Sequence, residues 1–252
     1  MAAYHLDSRD HLGTLHLHAS SANAMNDRVL QALAEGLAEA RAANLRGLIL
    51  TGYDRFFSAG LDLLTVNDFD REQMRQFITH WENTMVELFA FPMPVVAAIN
   101  GAAAAGGCLM GLACDYRVMA KEAKIGMTGI RLGIALPAAA LEIFREVVPA
   151  VNSASVLFSG KLFDADAALK LGLINEAVQS ADLLAIAWQR LRELSQHAGN
   201  PVASLKAALR QYALERIQQN AEKMRNEFLE IWFSPVARKK LEEIRDELLS
   251  KK

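Results

Sequence analysis

Hydrophobic and polar positions along the chain follow two different periods, and these periods outline the predicted elements. Residues 11–18 (HLGTLHLH) alternate apolar with polar side chains, which is typical of a strand with one buried face, so that its histidines fall on the outer face. Residues 26–41 place apolar side chains at helical spacing, and Asn26 stands in the capping position. A strand followed by an amphipathic helix is therefore expected at the start of the chain.

The next segments repeat this order. Residues 46–51 (RGLILT) and 95–99 (VVAAI) are short apolar runs, typical of buried parallel strands. Between them, residues 73–91 predict a helix that ends before Pro92, because the residue before a proline disfavours helical backbone. Strands that alternate with helices predict an α/β core.

After about residue 150 the pattern changes to helices. Residues 174–178 are the main strand-like run that remains, and prolines at 201 and 235 separate helical segments. These segments look like helices that pack on another part of the protein rather than an independent domain. The predicted helices cover residues 181–195, 202–214, 217–231 and 236–249.

Composition and charge narrow the function classes. The 252 residues are 52% hydrophobic, which is enough for one large core, and the net charge is −2. Because no general basic field results, we expect neither nucleic acid nor a membrane as a main partner. Cys108 and Cys114 form no CxxC motif, and residues 1–20 lack an apolar secretory core. These features favour a soluble cytoplasmic protein without a metal site.

Two glycine-containing turns carry the candidate chemistry. Residues 56–63 (FFSAGLDL) follow the first buried strand, and residues 100–115 (NGAAAAGGCLMGLACD) follow the second. Ligands of open α/β sheets bind beyond the carboxyl ends of the strands. A helix that begins at Gly106 would direct its free N–H groups into this region. Two converging N–H groups form an oxyanion hole, but spacing alone supports only an anion-binding pair of turns.

The same segments, taken together, resemble the enoyl-CoA hydratase/isomerase (crotonase) family. The resemblance rests on FSAGLDL at 57–63, AINGAAAAGGCLMGLACDYRVMA at 98–120, DADAALKLGLINEAV at 164–178 and NAM at 23–25. Within the family, the combination of FSAGLDL, INGAxxAGGCL, CDYR and LGI is most similar to Δ3,Δ2-enoyl-CoA isomerases.

This resemblance implies an architecture and a substrate. It implies an α/β fold with a ββα spiral core over residues 1–195 that holds the acyl-CoA site. It also implies a C-terminal helical region over residues 196–252, which packs on the core and on neighbouring subunits of a homotrimer or a dimer of trimers. The implied ligand is an acyl-CoA thioester, so coenzyme A enters as part of the substrate and no separate cofactor is expected.

The resemblance also implies which residues form the site. The thioester carbonyl would lie between the backbone N–H groups of Leu61 and Gly106, which stabilise the enolate oxygen that forms when a proton leaves the neighbouring carbon. The residues implied to contact the substrate are Ala22, Ala24, Ala59, Leu61, Asp62, Leu63, Gly106, Leu109, Thr128 and Gly129.

The sequence departs from the family at the carboxylates that move the proton. Hydratases of the family carry a glutamate where this chain has Leu109, and hydratases and isomerases share a second glutamate where it has Gly129. Other members place an aspartate at the position of Pro137. None of these three side chains can accept a proton, so the oxyanion turns are retained while the usual acid/base pair is missing.

Three explanations are open. In the first, another side chain replaces the glutamates, with His80, Glu82 and Glu142 as candidates and Cys108 as a possible nucleophile. The simpler interpretation makes His80 a partly buried helix residue, Cys108 a packing residue, and the two glutamates solvated helix positions. Glu87 is also expected on a solvated face, Asp62 and Asp115 are expected to be structural, and the hydroxyl of Thr128 is a poor base.

The second explanation is a reaction that needs only the oxyanion hole, such as decarboxylation of a malonyl-type thioester. The third is a protein that binds acyl-CoA without transforming it, which the apolar residues at both glutamate positions would also suit.

Overall fold

A computed structural model describes residues 2–197 and 199–250, and it contains two sheets. The larger sheet has six strands in the order β1-β2-β3-β5-β7-β9, and the smaller has three in the order β4-β6-β8. β1 and β2 form an antiparallel hairpin, and the other neighbours are parallel. The strands are β1 Tyr4–Arg9, β2 Leu12–Leu17, β3 Gly47–Thr51, β4 Phe56–Ser58, β5 Val95–Ile99, β6 Ala102–Ala104, β7 Tyr116–Ala120, β8 Ile125–Gly126 and β9 Glu176–Val178.

Helices surround these sheets and dominate the C-terminal part of the chain. Within the described residues, no helix is both long enough and apolar enough to cross a bilayer. The helices are α1 Asp27–Ala42, α2 Leu63–Val66, α3 Arg71–Phe89, α4 Gly106–Ala113, α5 Ala138–Val147, α6 Ala150–Leu157, α7 Ala165–Leu171, α8 Leu183–Ser195, α9 Asn200–Trp232 and α10 Pro235–Ser250.

From β3 to β8, consecutive strands alternate between the two sheets, and each pair is followed by a helix. β3 and β4 precede α3, β5 and β6 precede α4, and β7 and β8 precede α5; the first strand of each pair joins the large sheet and the second joins the small one. The predicted α/β fold with a ββα spiral core is therefore confirmed. β3 and β5 are buried along their whole length, because helices cover both faces of a parallel sheet.

Most predicted elements lie where the hydrophobic pattern placed them. The side chain of Asn26 accepts a hydrogen bond from the backbone N–H of Val29 and caps α1, as predicted. α3 begins earlier than expected, because Asp70 and Gln73 form a capping box at its start.

The prediction of two helices over 202–214 and 217–231 was wrong. α9 runs without interruption from Asn200 to Trp232, and it packs against α3 and α5. The expected break at residues 215–216 falls on Glu215 and Arg216, which are good helix formers. α10 packs on α2 and α9, so the last two helices cover the core. The boundary predicted at residue 195 and the contact with neighbouring subunits stay predictions.

Candidate functional site

The two glycine turns lie side by side, because β4 and β6 are neighbours in the small sheet. The first turn follows Ser58, and the second leads from β6 into α4. The early segment of the chain holds the first turn in place: the N–H of Met25 donates to the carbonyl of Gly60 at 2.7 Å, and the N–H of Asp62 donates to the carbonyl of Met25 at 2.9 Å. The NAM segment and both turns therefore form one unit.

Close packing between these turns explains their glycines. A Cβ on Gly107 would stand 2.2 Å from the carbonyl oxygen of Ser58, which no side chain can tolerate. Gly60 has a φ of 84°, a conformation that favours glycine, and its Cβ would stand 2.8 Å from the carbonyl oxygen of Ala104. The glycines allow the two backbones to approach each other.

The N–H groups of Leu61 and Gly106 are available to a ligand. Within the described part of the chain, neither donates a hydrogen bond to a backbone carbonyl. Gly106 is the first residue of α4, where N–H groups have no partner within the helix and the dipole favours negative charge. Ala105 precedes it with φ 47° and ψ −109°, an unusual conformation for a residue other than glycine. Backbone strain is thus concentrated beside the proposed oxyanion hole, as at many functional sites.

An apolar cavity opens directly in front of Leu61 and Gly106. The empty space in it is about 440 Å³ when the part that is open solvent is included. Leu109, Gly129 and Pro137, which the sequence resemblance aligned with the family's carboxylates, all line this one cavity. The described side chains that line it include no ionisable group; they belong to Leu61, Ile78, Trp81, Ala105, Leu109, Met127, Ile134, Ala135, Leu136, Pro137, Ala140 and Phe228.

A second, wider cleft leads from the surface to the same point. Arg131 contributes a cationic side chain to its wall, and Glu247 contributes an anionic one. Nearby, the ammonium nitrogen of Lys240 lies 3.6 Å from the position that a Cβ on Gly133 would take. Of the residues predicted to contact the substrate, five line this cleft: Ala59, Leu61, Leu63, Thr128 and Gly129.

Of the other predicted substrate contacts, Gly106 and Leu109 line the apolar cavity, whereas Ala22, Ala24 and Asp62 line neither cavity. The carbonyl of Ala22 accepts a hydrogen bond from the N–H of Ala59 at 3.1 Å, so this segment runs along the first turn. Ala24 lies in the same segment, between Ala22 and Met25. Asp62 has a structural role, as the simpler interpretation expected: its carboxylate accepts hydrogen bonds from Asn26 and Thr65, each at 2.9 Å.

Glu82 is buried, so its predicted position on a solvated face was wrong. One carboxylate oxygen accepts from Nε and Nη2 of Arg225 in α9, at 3.0 and 2.8 Å. The other accepts from the N–H of Ala139 at the start of α5, at 3.3 Å. A charge this deep requires a partner. Glu82 therefore connects three helices and does not line the apolar cavity.

Glu142 is buried as well, and its predicted solvated position was also wrong. Its two carboxylate oxygens accept from Arg145 at 2.7 Å and from Arg216 at 2.6 Å. It thus ties α5 to α9, and it too does not line the cavity. Both glutamates are committed to ion pairs. The sequence pattern did not reveal their burial, because Arg225 and Arg216, which connect them to α9, lie far along the chain.

The remaining candidates do not supply a base to the cavity. His80 is half-exposed and contacts Asp27 at 3.2 Å on the outer side of α3. Glu87 is partly exposed and pairs with Arg41. Burial raises the pKa of the Cys108 thiol to about 12, so the thiol stays protonated and the packing interpretation fits.

Asp115 has the structural position that the sequence indicated. Its carboxylate accepts from the backbone N–H of Val95 and forms ion pairs with Lys206 and Arg210, each at 2.7 Å. The guanidinium of Arg210 also lies over the ring of Phe89. This cluster holds α9 against the end of the large sheet, away from the cavity.

The family assignment follows from the sequence profile described as enoyl-CoA hydratase/isomerase, which matches residues 9–242. The chain belongs to the enoyl-CoA hydratase/isomerase family. It is 29% identical over 197 residues to a probable enoyl-CoA hydratase of Bacillus subtilis, covering 77% of this chain and 76% of that one. It is 37% identical over 138 residues to mouse mitochondrial enoyl-CoA delta isomerase 1, covering 54% of this chain and 48% of that one.

The structures agree with this assignment. The crystal structure of human mitochondrial delta3-delta2-enoyl-CoA isomerase superposes with a TM-score of 0.89 at 23% identity, covering 99% of both chains. This likeness establishes the fold of this hydratase/isomerase family member. Among the lining residues that sequence reasoning missed is Trp81, a buried residue of α3. Nothing near it in the sequence signals a site, and only the fold shows that α3 faces the cavity at this point.

Proposed function

We propose that the protein binds an acyl-CoA thioester and stabilises negative charge on its carbonyl oxygen in a reaction that uses no side-chain base. One observation carries the proposal. The free N–H groups of Leu61 and Gly106 adjoin a cavity without an ionisable group among its described lining side chains. Two such donors can stabilise an enolate, commonly by several kcal/mol, whereas removal of a proton from carbon also requires a base.

Decarboxylation of a 2-carboxyacyl thioester meets both conditions. The bond between C2 and the carboxylate breaks, CO2 leaves, and the electron pair moves into the enolate, whose oxygen the two N–H groups stabilise. A proton from water then adds to C2 and gives the shortened acyl-CoA. An apolar wall favours this step, because a carboxylate loses solvation on binding there and the departing CO2 carries no charge.

The cleft that leads to the cavity suits the coenzyme. Arg131 and Lys240 supply two positive charges at this cleft against the one negative charge of Glu247, whereas the chain as a whole has a net charge of −2. The acyl group would enter the apolar cavity, and the coenzyme would extend along this cleft towards solvent.

The test is product analysis with purified protein. Methylmalonyl-CoA and malonyl-CoA would be incubated in deuterated water, and the thioester products read by mass spectrometry. We expect loss of CO2 with one deuterium at C2. A 3-enoyl-CoA assayed in parallel should show neither migration of its double bond nor deuterium uptake. Deuterium uptake or migration of the double bond would show that the site contains a base, and would favour isomerase activity over decarboxylation.

A non-catalytic acyl-CoA binder is the second candidate. The apolar residues Leu109 and Gly129 favour it, because they make the cavity suitable for retaining a hydrocarbon chain. Two results together would support this function: butyryl-CoA binds in calorimetry, and 2-carboxyacyl-CoA esters remain intact when they are incubated with the protein for hours.

We also propose that the protein self-associates as a homotrimer or a dimer of trimers. Large apolar side chains are exposed on α6 and on one side of α9, where Leu205, Leu209 and Tyr212 recur at helical spacing. Val151 on α6 and Phe158 directly after its end are both exposed. Light scattering coupled to size-exclusion chromatography tests this, and a monomeric mass at micromolar concentration would refute it.

A further inference from the structure

The indole of Trp81 is the one polar side-chain donor among the described residues that line the apolar cavity. Trp81 is buried, and its ring nitrogen donates to the sulfur of Met25 at 3.2 Å. The same nitrogen would lie 3.5 Å from a Cβ on Gly106. An N–H donor therefore lies immediately beside the proposed oxyanion hole.

The present partner of this N–H group is a poor one. A thioether sulfur is a weak acceptor, whereas buried indole N–H groups usually find a stronger one. An oxygen would accept this hydrogen bond better than sulfur does, and a ligand oxygen reaches the N–H group once the buried Met25 side chain turns aside. A ligand whose oxygen atom accepts this hydrogen bond therefore binds more tightly than a ligand without such an oxygen.

We infer that Trp81 determines specificity, and that it selects acyl-CoA thioesters with an oxygen acceptor on C2 or C3 of the acyl group. The inference rests on the proposed function, because it assumes that the thioester carbonyl lies at Leu61 and Gly106. An acceptor one or two carbons from that carbonyl lies within reach of a donor beside Gly106. A 2-carboxylate or a 3-oxo group meets this requirement, and an unsubstituted hydrocarbon chain does not.

The test compares two thioesters of equal chain length that need no base-catalysed turnover. Dissociation constants for acetoacetyl-CoA and butyryl-CoA would be measured by calorimetry with the wild type and with Trp81→Phe. We expect the wild type to prefer acetoacetyl-CoA roughly three- to tenfold, as one net hydrogen bond provides. Trp81→Phe should remove this preference and leave butyryl-CoA binding within about threefold.

Two further variants serve as a control and as an independent test of the role of Trp81. Trp188→Phe alters a tryptophan on α8 that packs under Arg9, and it should keep the wild-type preference. Met25→Leu removes the sulfur acceptor and frees the N–H group, so it should increase the preference for acetoacetyl-CoA. This second variant decides the matter if Trp81→Phe does not fold.

The outcomes are distinct. If neither thioester binds to the wild type, the proposed function fails. If both bind and Trp81→Phe keeps the wild-type ratio, the proposed function stands and the role of Trp81 is refuted. An unchanged ratio in Met25→Leu also counts against that role.

Discussion

Met25 occupies the space that a side chain on Gly106 would need: a Cβ on that glycine would stand 2.8 Å from the Met25 sulfur. The sulfur in turn accepts the indole N–H of Trp81. A larger residue at position 106 must therefore displace the group that fixes Trp81.

Gly106→Val should abolish tight acyl-CoA binding. Its branched side chain would push Met25 away and distort the first turn of α4, and overpacking of this kind typically costs about 1–3 kcal/mol. We expect butyryl-CoA affinity to fall more than about tenfold in calorimetry. Gly111→Ala is the matched control on the same helix, because its Cβ would make ordinary contact with Ile99 at 3.5 Å. If Gly106→Val binds butyryl-CoA normally, the assignment of Gly106 to the oxyanion hole is wrong.

Gly129→Glu should introduce proton transfer. A Cβ on Gly129 would make only ordinary contact with Ile134, at 3.6 Å, so the fold leaves room for a side chain directed at the cavity. A positioned base contributes about 10²–10⁴-fold. We therefore expect deuterium uptake into 3-enoyl-CoA to rise on the order of 100-fold over the wild type.

The isosteric control is Gly129→Gln, which adds similar bulk without a base and should stay at the wild-type rate. If the glutamate variant binds the thioester and still exchanges no deuterium, Gly129 does not lie over the reacting carbon.

Glu82→Gln should destabilise the fold and leave chemistry at the site unchanged. The substitution leaves the Arg225 guanidinium buried without its counter-charge, and breaking a buried pair costs about 3–5 kcal/mol. Denaturant unfolding would measure this loss, and Arg225→Met combined with Glu82→Gln should recover part of it. A large fall in turnover without a change in stability would instead identify Glu82 as a catalytic base.

The stability of the protein should rise with pH between about 8 and 10.5 through Lys206. Burial lowers the pKa of Lys206 from 10.5 to about 8, with Arg210 adding to this and Asp115 opposing it. In this pH window the unfolded lysine binds a proton that the folded one has released, so raising the pH favours the folded state. We expect a gain on the order of 2 kcal/mol relative to Lys206→Met. Parallel pH profiles for the two proteins would contradict the shifted pKa.

Local patterns predicted the elements that position the site, because each depends on signals close in sequence. The run at residues 46–51, the cap at Asn26 and the glycines at 106 and 107 all determine backbone geometry within a few residues. Short strands such as Phe56–Ser58 escaped notice, since three residues carry no detectable alternation.

The errors share one physical cause, which is pairing between distant segments. Arg225 lies 143 residues from Glu82, and Arg216 lies 74 residues from Glu142. A glutamate on an amphipathic helix has the same local pattern whether it faces water or a buried arginine. For the same reason the local pattern around Trp81 did not identify it as part of the cavity wall.

The two buried glutamates have a consequence for how this protein can change. Their ion pairs hold α3, α5 and α9 together from behind the cavity, and neither carboxylate lines its wall. Substitutions at Leu109, Gly129 or Pro137 therefore leave those ion pairs intact. Because these ion pairs and the cavity wall use different residues, the chain is a suitable scaffold for directed evolution, in which new acids and bases are introduced while the ion pairs between the helices stay in place.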